Sequence, residues 1–360
     1  MVAQGATLYG KSWWERRERG PWLHSMGWDL SFLILSSVLV VIPLALYEVF
    51  GQSALFVNLF IAGLIGGPHM YATFFRTALD RPFRQQHRFL MGSSLAIPVL
   101  VISMAIWHFQ LLLTLFFFWA SIHVLHQIAY LVECYERKQP SPFQRWARII
   151  DYTVVLTCLY PIASYKFIHD EFYIGSTLLL YPDILKTSVV VYLVTGVFLL
   201  SLLLFIIKSV MEIQHGTAHY PKILLVLVTV SLALFITSYS GHRLEIAFQG
   251  FNTWHSFQYL ALTWYINALR RQRGDIASPT IRRLTGGGKG GLYCYYGVNV
   301  ALTIGALGLI GGVFYISGLP FEQSYYIVVL SFLLMHYYHD HLLFTRFNDF
   351  AQPNTSPASV

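Results

Sequence analysis

The chain has 360 residues, of which 56% are hydrophobic and only 11% are charged, and its formal net charge is +7. A soluble protein carries about 25% charged residues, so this composition excludes a soluble globular enzyme and indicates a membrane protein. We expect the basic balance to reflect membrane topology and contact with anionic lipids, and we expect no nucleic-acid partner.

Ten apolar segments follow one another along the chain, and each is long enough to cross the hydrocarbon core of a bilayer. They occupy 30–50, 53–75, 89–108, 109–135, 149–167, 187–207, 223–241, 243–268, 292–318 and 324–345. The eighth is interrupted by polar residues such as Glu245 and Gln249. The sequence predicts one all-α polytopic bundle over 29–345, a cytoplasmic or interfacial N-terminal segment at 1–28 and a cytoplasmic tail at 346–360.

Lysine and arginine residues are distributed unevenly between the loops of this ten-span arrangement. With the N-terminus in the cytoplasm, 21 of the 24 basic residues fall on the cytoplasmic side, and only Lys166, Lys186 and Arg243 fall on the other side. The positive-inside rule relates such an asymmetry in short loops to orientation. We therefore expect both termini in the cytoplasm and a multi-pass protein of the plasma (inner) membrane.

Six of the 14 histidines lie late in apolar segments that run from the outside inward. These six are His69, His123, His126, His255, His336 and His339. Measured back from the next cytoplasmic arginine, they lie roughly 10–22 Å into the membrane at 1.5 Å per helical residue. Intramembrane histidines are functional candidates because an unpartnered imidazole in hydrocarbon is costly. Six at one depth on four helices predict a metal site.

Polar residues at helical spacing accompany these histidines, and we expect them to orient the ligating imidazoles. They are Gln127, Asp340, Asn252 and Gln258. The members of each of the pairs His123/His126 and His336/His339 are three residues apart and share a helix face, so the spacing leaves open which member is a ligand. For His126 or His339 taken singly, an interhelical hydrogen bond is an equally good interpretation.

Several imidazoles with one carboxylate suit non-haem iron, copper or zinc, and the three scattered cysteines Cys134, Cys158 and Cys294 indicate no thiolate site. We expect iron, and haem is not excluded by the sequence. Four tyrosines near the histidines are candidates for lining a substrate pocket. They are Tyr71, Tyr130, Tyr259 and Tyr337.

The order of these motifs resembles the Brp/Blh family of membrane carotene dioxygenases. The matching patches are Gly-x-Pro-His at 66–69, Ser-Ile-His at 121–123, and the late histidine helices around His255 and His336. The resemblance implies that His69, His123, His255 and His336 hold one iron, with Asp340 near the fourth. The acidic residue that the family carries shortly after its first histidine is absent here, where Ala72, Thr73 and Phe74 follow.

The function we expect is that of an integral-membrane, metal-dependent oxygenase. Its substrates would be O2 and a hydrophobic molecule dissolved in the membrane, such as a lipid, a carotenoid or a hydrocarbon; whether it needs a redox partner is open. A di-iron desaturase or hydroxylase is the second enzymatic interpretation, although the chain has no His-His doublet. The sequence also leaves open a b-type haem protein, a proton-coupled transporter and a purely structural role.

Overall fold

The structure is a computed structural model that describes residues 20–51, 53–239, 244–286 and 289–350. These residues are almost entirely helical. The helices are α1 (Met26–Val49), α2 (54–75), α3 (Arg81–Gln86), α4 (Arg88–Trp107), α5 (Phe109–Lys138), α6 (Gln144–Thr157), α7 (Tyr160–His169), α8 (Ser188–Gln214), α9 (Tyr220–Tyr239), α10 (Leu244–Arg273), α11 (Pro279–Leu284), α12 (Lys289–Ser317) and α13 (Phe321–Leu343). Short 3-10 turns lie at Asp183–Leu185 and Phe347–Phe350.

Between α7 and α8 lies a small antiparallel hairpin. Strand β1 (Tyr173–Ile174) pairs with β2 (Thr177–Leu178) in the register Tyr173↔Leu178 and Ile174↔Thr177. Gly175 occupies the turn with φ 58°, a left-handed conformation that favours glycine. The hairpin is held to the start of α13, because Ser176 donates to the Glu322 carboxylate from its backbone N–H at 3.2 Å and from its hydroxyl at 2.5 Å.

Six of the described helices are long and apolar enough to cross a membrane, which confirms the prediction of an all-helical polytopic membrane protein in its coarse form. They are α1, α4, α5, α8, α9 and α12. The other four predicted segments are also helical, as α2, α6 with α7, α10 and α13. The count of ten spans and the orientation stay predictions, and so do the segments 1–19 and 351–360, which lie outside the described residues.

The fifth predicted segment, 149–167, is divided into two helices. Helix α6 ends at Thr157 and α7 begins at Tyr160. Pro161 lies just inside α7 and has no N–H to offer the carbonyl of Thr157, so the first helix ends before it. Hydropathy alone does not register this break, because both halves are apolar.

Helix α10 lies at the centre of the bundle, against α1, α2, α5, α9, α12 and the Phe347–Phe350 turn. Many polar residues in its middle are almost completely buried, among them Thr253, Ser256, Gln258 and Asn267. Polar side chains are costly next to lipid tails and are tolerated where protein neighbours surround them. The helix that looks least like a membrane span in sequence is therefore the one enclosed by the others.

A buried charge cluster joins α5, α6, α8 and α9. Nζ of Lys222 lies 2.7 Å from Oε2 of Glu136 and 3.0 Å from Oδ2 of Asp151. Nζ of Lys208 also pairs with Asp151 and lies 4.0 Å from Oε1 of Glu212. Both lysines counted toward the cytoplasmic excess in the sequence, and the structure pairs them with acids from neighbouring helices.

Candidate metal centre

Four helices each contribute one buried imidazole to a single cluster. His69 on α2, His123 on α5, His255 on α10 and His336 on α13 are at most 4% exposed. Their rings contact one another in a closed order. The centroid separations are 4.7 Å for His69–His336, 5.0 Å for His336–His123, 5.0 Å for His123–His255 and 5.2 Å for His255–His69.

These separations match the geometry of imidazoles around one ion. A metal–nitrogen bond of about 2.1 Å would place each ring centroid about 3.2 Å from an ion, so centroids would lie about 4.5 Å apart for ligands at right angles and about 5.2 Å apart for tetrahedral ligands. All four observed separations fall between these two values. The ligand atoms of His69, His255 and His336 lie within 4.8 Å of one another, and so do those of His123, His336 and Asp340.

Several ring nitrogens of the cluster have no hydrogen-bond partner among the described residues and are therefore able to bind a ligand. Within the described part of the chain, no hydrogen-bond partner contacts Nε2 of His69, His123 or His336, either ring nitrogen of His255, or Oδ2 of Asp340. Buried polar atoms are nearly always paired, so a concentration of unpaired ones marks this cluster as a candidate ligand site. Imidazole and carboxylate donors fit iron, copper or zinc.

The local structure of α2 sets the orientation of His69. A π-helical turn at Ala62–Gly66 precedes Pro68. Pro68 has no N–H group to donate to the carbonyl of Leu64, and the hydroxyl of Tyr296 donates to that carbonyl instead, at 2.6 Å. The carbonyl of Gly66 accepts from Nδ1 of His69. This bond directs Nε2 into the cluster. The helix break that the Gly-Gly-Pro sequence predicts is, in the structure, a local widening of a continuous helix.

Gly67 allows α2 to approach α12 closely. A Cβ at this position would overlap the side chain of Thr303 and would lie 2.7 Å from the carbonyl oxygen of Ala62. Since both are far too close for any side chain, glycine is required beside His69 for packing.

His336 is oriented by Thr73 in the same way. Nδ1 of His336 lies 2.5 Å from Oγ1 of Thr73, and the Thr73 hydroxyl donates to Oδ1 of Asp340 at 3.1 Å. The Tyr259 hydroxyl donates to the same Asp340 oxygen at 2.6 Å and lies 2.6 Å from Oγ1 of Thr73. Oδ2 of Asp340 lies 3.5 Å from Nδ1 of His336 and 3.9 Å from Nε2 of His123. Asp340 is thus beside two imidazoles and linked to His336 through Thr73, and its role in orienting them stays a prediction.

Gln127 and Gln258 act on the helix that carries His255. Nε2 of Gln127 donates to the backbone carbonyl of His255 at 3.1 Å and to Oε1 of Gln258 at 3.1 Å. Nε2 of Gln258 donates in turn to the carbonyl of Leu33 at 2.5 Å. Gln127 thus connects α5 to the backbone of α10, and Gln258 connects α10 to the backbone of α1. The His123 ring is positioned instead by stacking on Tyr337, with centroids 4.0 Å apart.

His126 and His339 lie apart from the ring of four. The His126 ring packs 5.2 Å from Phe344 and 6.0 Å from His341. His339 is buried, and its Nδ1 lies 3.1 Å from Oγ1 of Thr77. The structure therefore brings four of the six candidate ligands into one ring, and a metal-binding role for these two remains a prediction.

A cavity adjoins the cluster between α2, α10, α12 and α13. Its lining includes His69, Tyr71 and Tyr337. Asn252, the fourth predicted orienting residue, also lines it and accepts from Ser256 at 3.4 Å. Two of the four predicted pocket tyrosines thus face the cavity.

The other two predicted pocket tyrosines have different surroundings. Tyr259 belongs to the Asp340 hydrogen-bond network, where its hydroxyl donates. Tyr130 stacks on Phe344 at 5.1 Å and on Phe347 at 5.4 Å, in an aromatic layer at the end of α13. Whether any of the four contacts substrate remains a prediction.

Thr73 and Ser256 contact the cluster and were not among the predicted site residues. Ser256 lies 2.9 Å from Nδ1 of His69. Their sequence positions carry a signal in retrospect, because Thr73 is one helical turn after His69 and Ser256 follows His255 directly. A hydroxyl is too common in membrane helices for this spacing to select it without the fold.

No protein-family model, no curated protein and no solved structure matches this chain. Fold and site define it as a helical membrane protein with a buried four-histidine cluster next to a cavity. The resemblance to the Brp/Blh family stays a prediction that rests on the quoted motifs.

Proposed function

We propose that this protein is an integral-membrane, metal-dependent oxygenase that acts on a hydrophobic substrate. The observation that carries the proposal is the closed ring of four buried imidazoles, one of which, His69, also lines a cavity. Such a cavity can receive a lipid, a carotenoid or a hydrocarbon from the bilayer between helices.

A single non-haem iron is the cofactor that the donor set supports best. His69, His123, His255 and His336 would hold the ion, and a bound iron would supply O2 activation next to the cavity. A porphyrin would have to separate a pair of these rings, whereas each ring already contacts two others. The geometry therefore favours a bare ion over haem.

A dinuclear centre is the second candidate, because the two metal-capable triads share His336. Bridging two ions would require both nitrogens of that ring. Nδ1 of His336 is engaged by Thr73 at 2.5 Å, so one ion is preferred.

The chain's own residues would hold the ion, orient the substrate and exclude water. His69 and His336 each present Nε2 because Gly66 and Thr73 engage Nδ1, and Asp340 lies beside the ring as an acceptor. Oxidative cleavage that places both oxygen atoms of O2 in the products needs no external reductant. Hydroxylation or desaturation draws two electrons from a reductase, so reductant dependence would distinguish the two reaction classes.

Metal analysis of detergent-purified protein, combined with an ultraviolet-visible spectrum and O2 consumption in the presence of membrane lipids, tests this proposal. About one iron per chain without a Soret band, together with lipid-dependent O2 uptake, would support it. Two irons would favour the dinuclear centre and a Soret band the haem protein. A protein that takes up no metal after reconstitution would contradict the proposal and favour proton-coupled transport.

We further propose that the chain crosses the membrane ten times with both termini in the cytoplasm. The membrane that we propose is the plasma membrane. Glu171 in the α7–α8 loop and Asp275 after α10 are both exposed and fall on opposite sides in this arrangement. Single cysteines at these positions, in a chain whose exposed Cys294 is replaced by serine, can be labelled with a membrane-impermeant maleimide. Labelling of position 171 in intact cells, and of 275 only after permeabilisation, is expected.

A further inference from the structure

A row of carboxamides lines one wall of the cavity. Nδ2 of Asn252 donates to Oε1 of Gln249 at 3.2 Å, and Nε2 of Gln249 donates to Oδ1 of Asn58 at 2.8 Å. Nδ2 of Asn58 then donates to Oε1 of Glu245 at 2.6 Å. All four side chains line the cavity. We call Asn58, Gln249 and Asn252 the amide row.

The direction of hydrogen bonding along the row is determined by its end. Asn58 presents its N–H group to the carboxylate of Glu245, which in its ionised form only accepts hydrogen bonds, and the same orientation follows for Gln249 and Asn252. A carboxamide has two N–H donors and an oxygen with two lone pairs. Each amide donates one hydrogen bond along the row, and each amide oxygen accepts one, which for Asn252 comes from Ser256. One donor and one acceptor site are therefore left over at every amide.

The rest of the cavity wall is mainly apolar and aromatic. It includes Phe116, Phe117, Phe248, Leu307, Ile310 and Leu330. Hydrogen-bonding groups that face an apolar space inside a membrane lose free energy unless a ligand or water engages them. A molecule bound in the cavity therefore gains binding free energy if it places a polar group on the amide row.

The outer end of the row lies far from the histidines. Asn58 precedes His69 by 11 residues, which is about 16 Å along a helix, and Glu245 precedes His255 by ten residues, or about 15 Å. A molecule whose polar group binds between Asn58 and Gln249 therefore reaches the histidine cluster only through a long apolar part. That part would pass the aromatic wall.

We propose that the cavity binds a long-chain or isoprenoid alcohol, with its hydroxyl on Asn58 and Gln249 and its apolar chain extending to His69 and Tyr337. A hydroxyl donates and accepts at once, which matches the spare donor and acceptor of each amide. A hydrocarbon of the same skeleton leaves both unpaired. This inference rests on the proposed function, because it names the substrate class of that site.

The test compares binding of geranylgeraniol with binding of the hydrocarbon that has the same skeleton and no hydroxyl. The full chain in nanodiscs is titrated with each, and displacement of a fluorescent polyene alcohol is measured. We expect the alcohol to bind about tenfold more tightly, the effect of one or two hydrogen bonds in a desolvated site. Equal affinity for the two probes in the unsubstituted protein would overturn the inference.

Gln249→Met and Asn58→Leu remove the hydrogen-bonding groups with little change in volume. Each is expected to abolish the preference for the alcohol while the hydrocarbon binds as before. Leu307→Ala, in the apolar lining, is the matched control and should weaken both probes equally. A preference that survives in both amide variants, with melting temperatures like that of the unsubstituted protein, would contradict the assignment of the hydroxyl to the row.

Metal content measured on the same preparations separates this inference from the proposed function. Protein that binds metal but shows no preference for the alcohol refutes the substrate class and leaves the oxygenase proposal standing. Protein that shows the preference without binding metal supports the alcohol site and refutes the oxygenase proposal.

Discussion

The side-chain hydroxyl of Thr73 on α2 lies 2.5 Å from Nδ1 of His336 on α13. The same hydroxyl donates a hydrogen bond to Oδ1 of Asp340 at 3.1 Å, so it accepts its hydrogen bond from the N–H group of the imidazole. This arrangement selects the His336 tautomer whose Nε2 is free to bind a metal. A hydroxyl between an imidazole and a carboxylate thus connects two helices beneath the cluster.

Replacing Thr73 by valine should weaken metal binding without unfolding the protein. Valine has nearly the same shape but cannot accept from His336, so the ring loses its fixed tautomer and orientation. Loss of such an outer contact costs about 10–100-fold in metal affinity. Competition with a chelator of known affinity measures the change.

Thr77→Val is the matched control for Thr73→Val. Thr77 is one turn further along the chain, equally buried, and its Oγ1 lies 3.1 Å from Nδ1 of His339. If only the ring of four binds metal, this variant should keep the unsubstituted affinity. A loss as large as that of Thr73→Val would instead place His339 among the ligands.

Substituting a member of the ring should remove the metal altogether. His69→Ala and His255→Ala are each expected to abolish stoichiometric metal binding and to leave membrane insertion intact, because each helix keeps its apolar surface. His126→Ala should keep its metal, since the His126 ring packs on Phe344. Mass spectrometry of purified protein gives the metal content. Stoichiometric metal in both of the first two variants would refute the ligand assignment.

Removal of the metal should lower the thermal stability of the protein. A ligand that binds only the folded state stabilises it by about 4 kcal/mol when its free concentration is a thousand times its Kd. Without metal, several nitrogens of the four buried rings also have no partner among the described residues, which lowers the stability of the folded state further. Melting curves in detergent, before and after chelation and after adding metal back, would show this. Identical curves for the loaded and stripped forms would mean that the metal does not bind this buried cluster.

The buried charge cluster predicts a separate effect on stability. Lys222→Met removes the ammonium group that lies 2.7 Å from Glu136 and 3.0 Å from Asp151, and Asp151 keeps only Lys208 as a cationic partner among the described residues. Breaking a buried ion pair from one side costs about 3–5 kcal/mol, so Tm should fall by several degrees. Lys186→Met breaks a largely exposed pair with Asp183 and should leave Tm unchanged. Equal Tm values for the two variants would contradict the burial of the cluster.

Much of the site could be anticipated from the sequence because depth in a membrane is readable along one helix. His69, His123, His255 and His336 share a depth once each segment is assigned a direction, and the structure brings these four together. Asp340 follows His336 by one turn and lies beside it. These relationships are set by helical rise and spacing, which do not depend on how helices pack.

Other features depended on contacts between segments far apart in the chain. The separation of His126 and His339 from the ring was undecidable from spacing, because residues three apart on one helix share a face and only the neighbouring helices determine which one points inward. Thr73 and Ser256 were missed for the same reason, since their partners belong to α13 and α2.

The sequence by itself determined that the protein is helical and lies in a membrane, because hydrophobicity and helical periodicity are local properties of the chain. It also predicted that the histidines lie in one layer of the membrane. Only the tertiary structure decided that four imidazoles face one another at 4.7–5.2 Å and that a cavity ends beside them. Those results depend on how α2, α5, α10 and α13 rotate and pack, and helix rotation is set by contacts between helices that no single segment encodes.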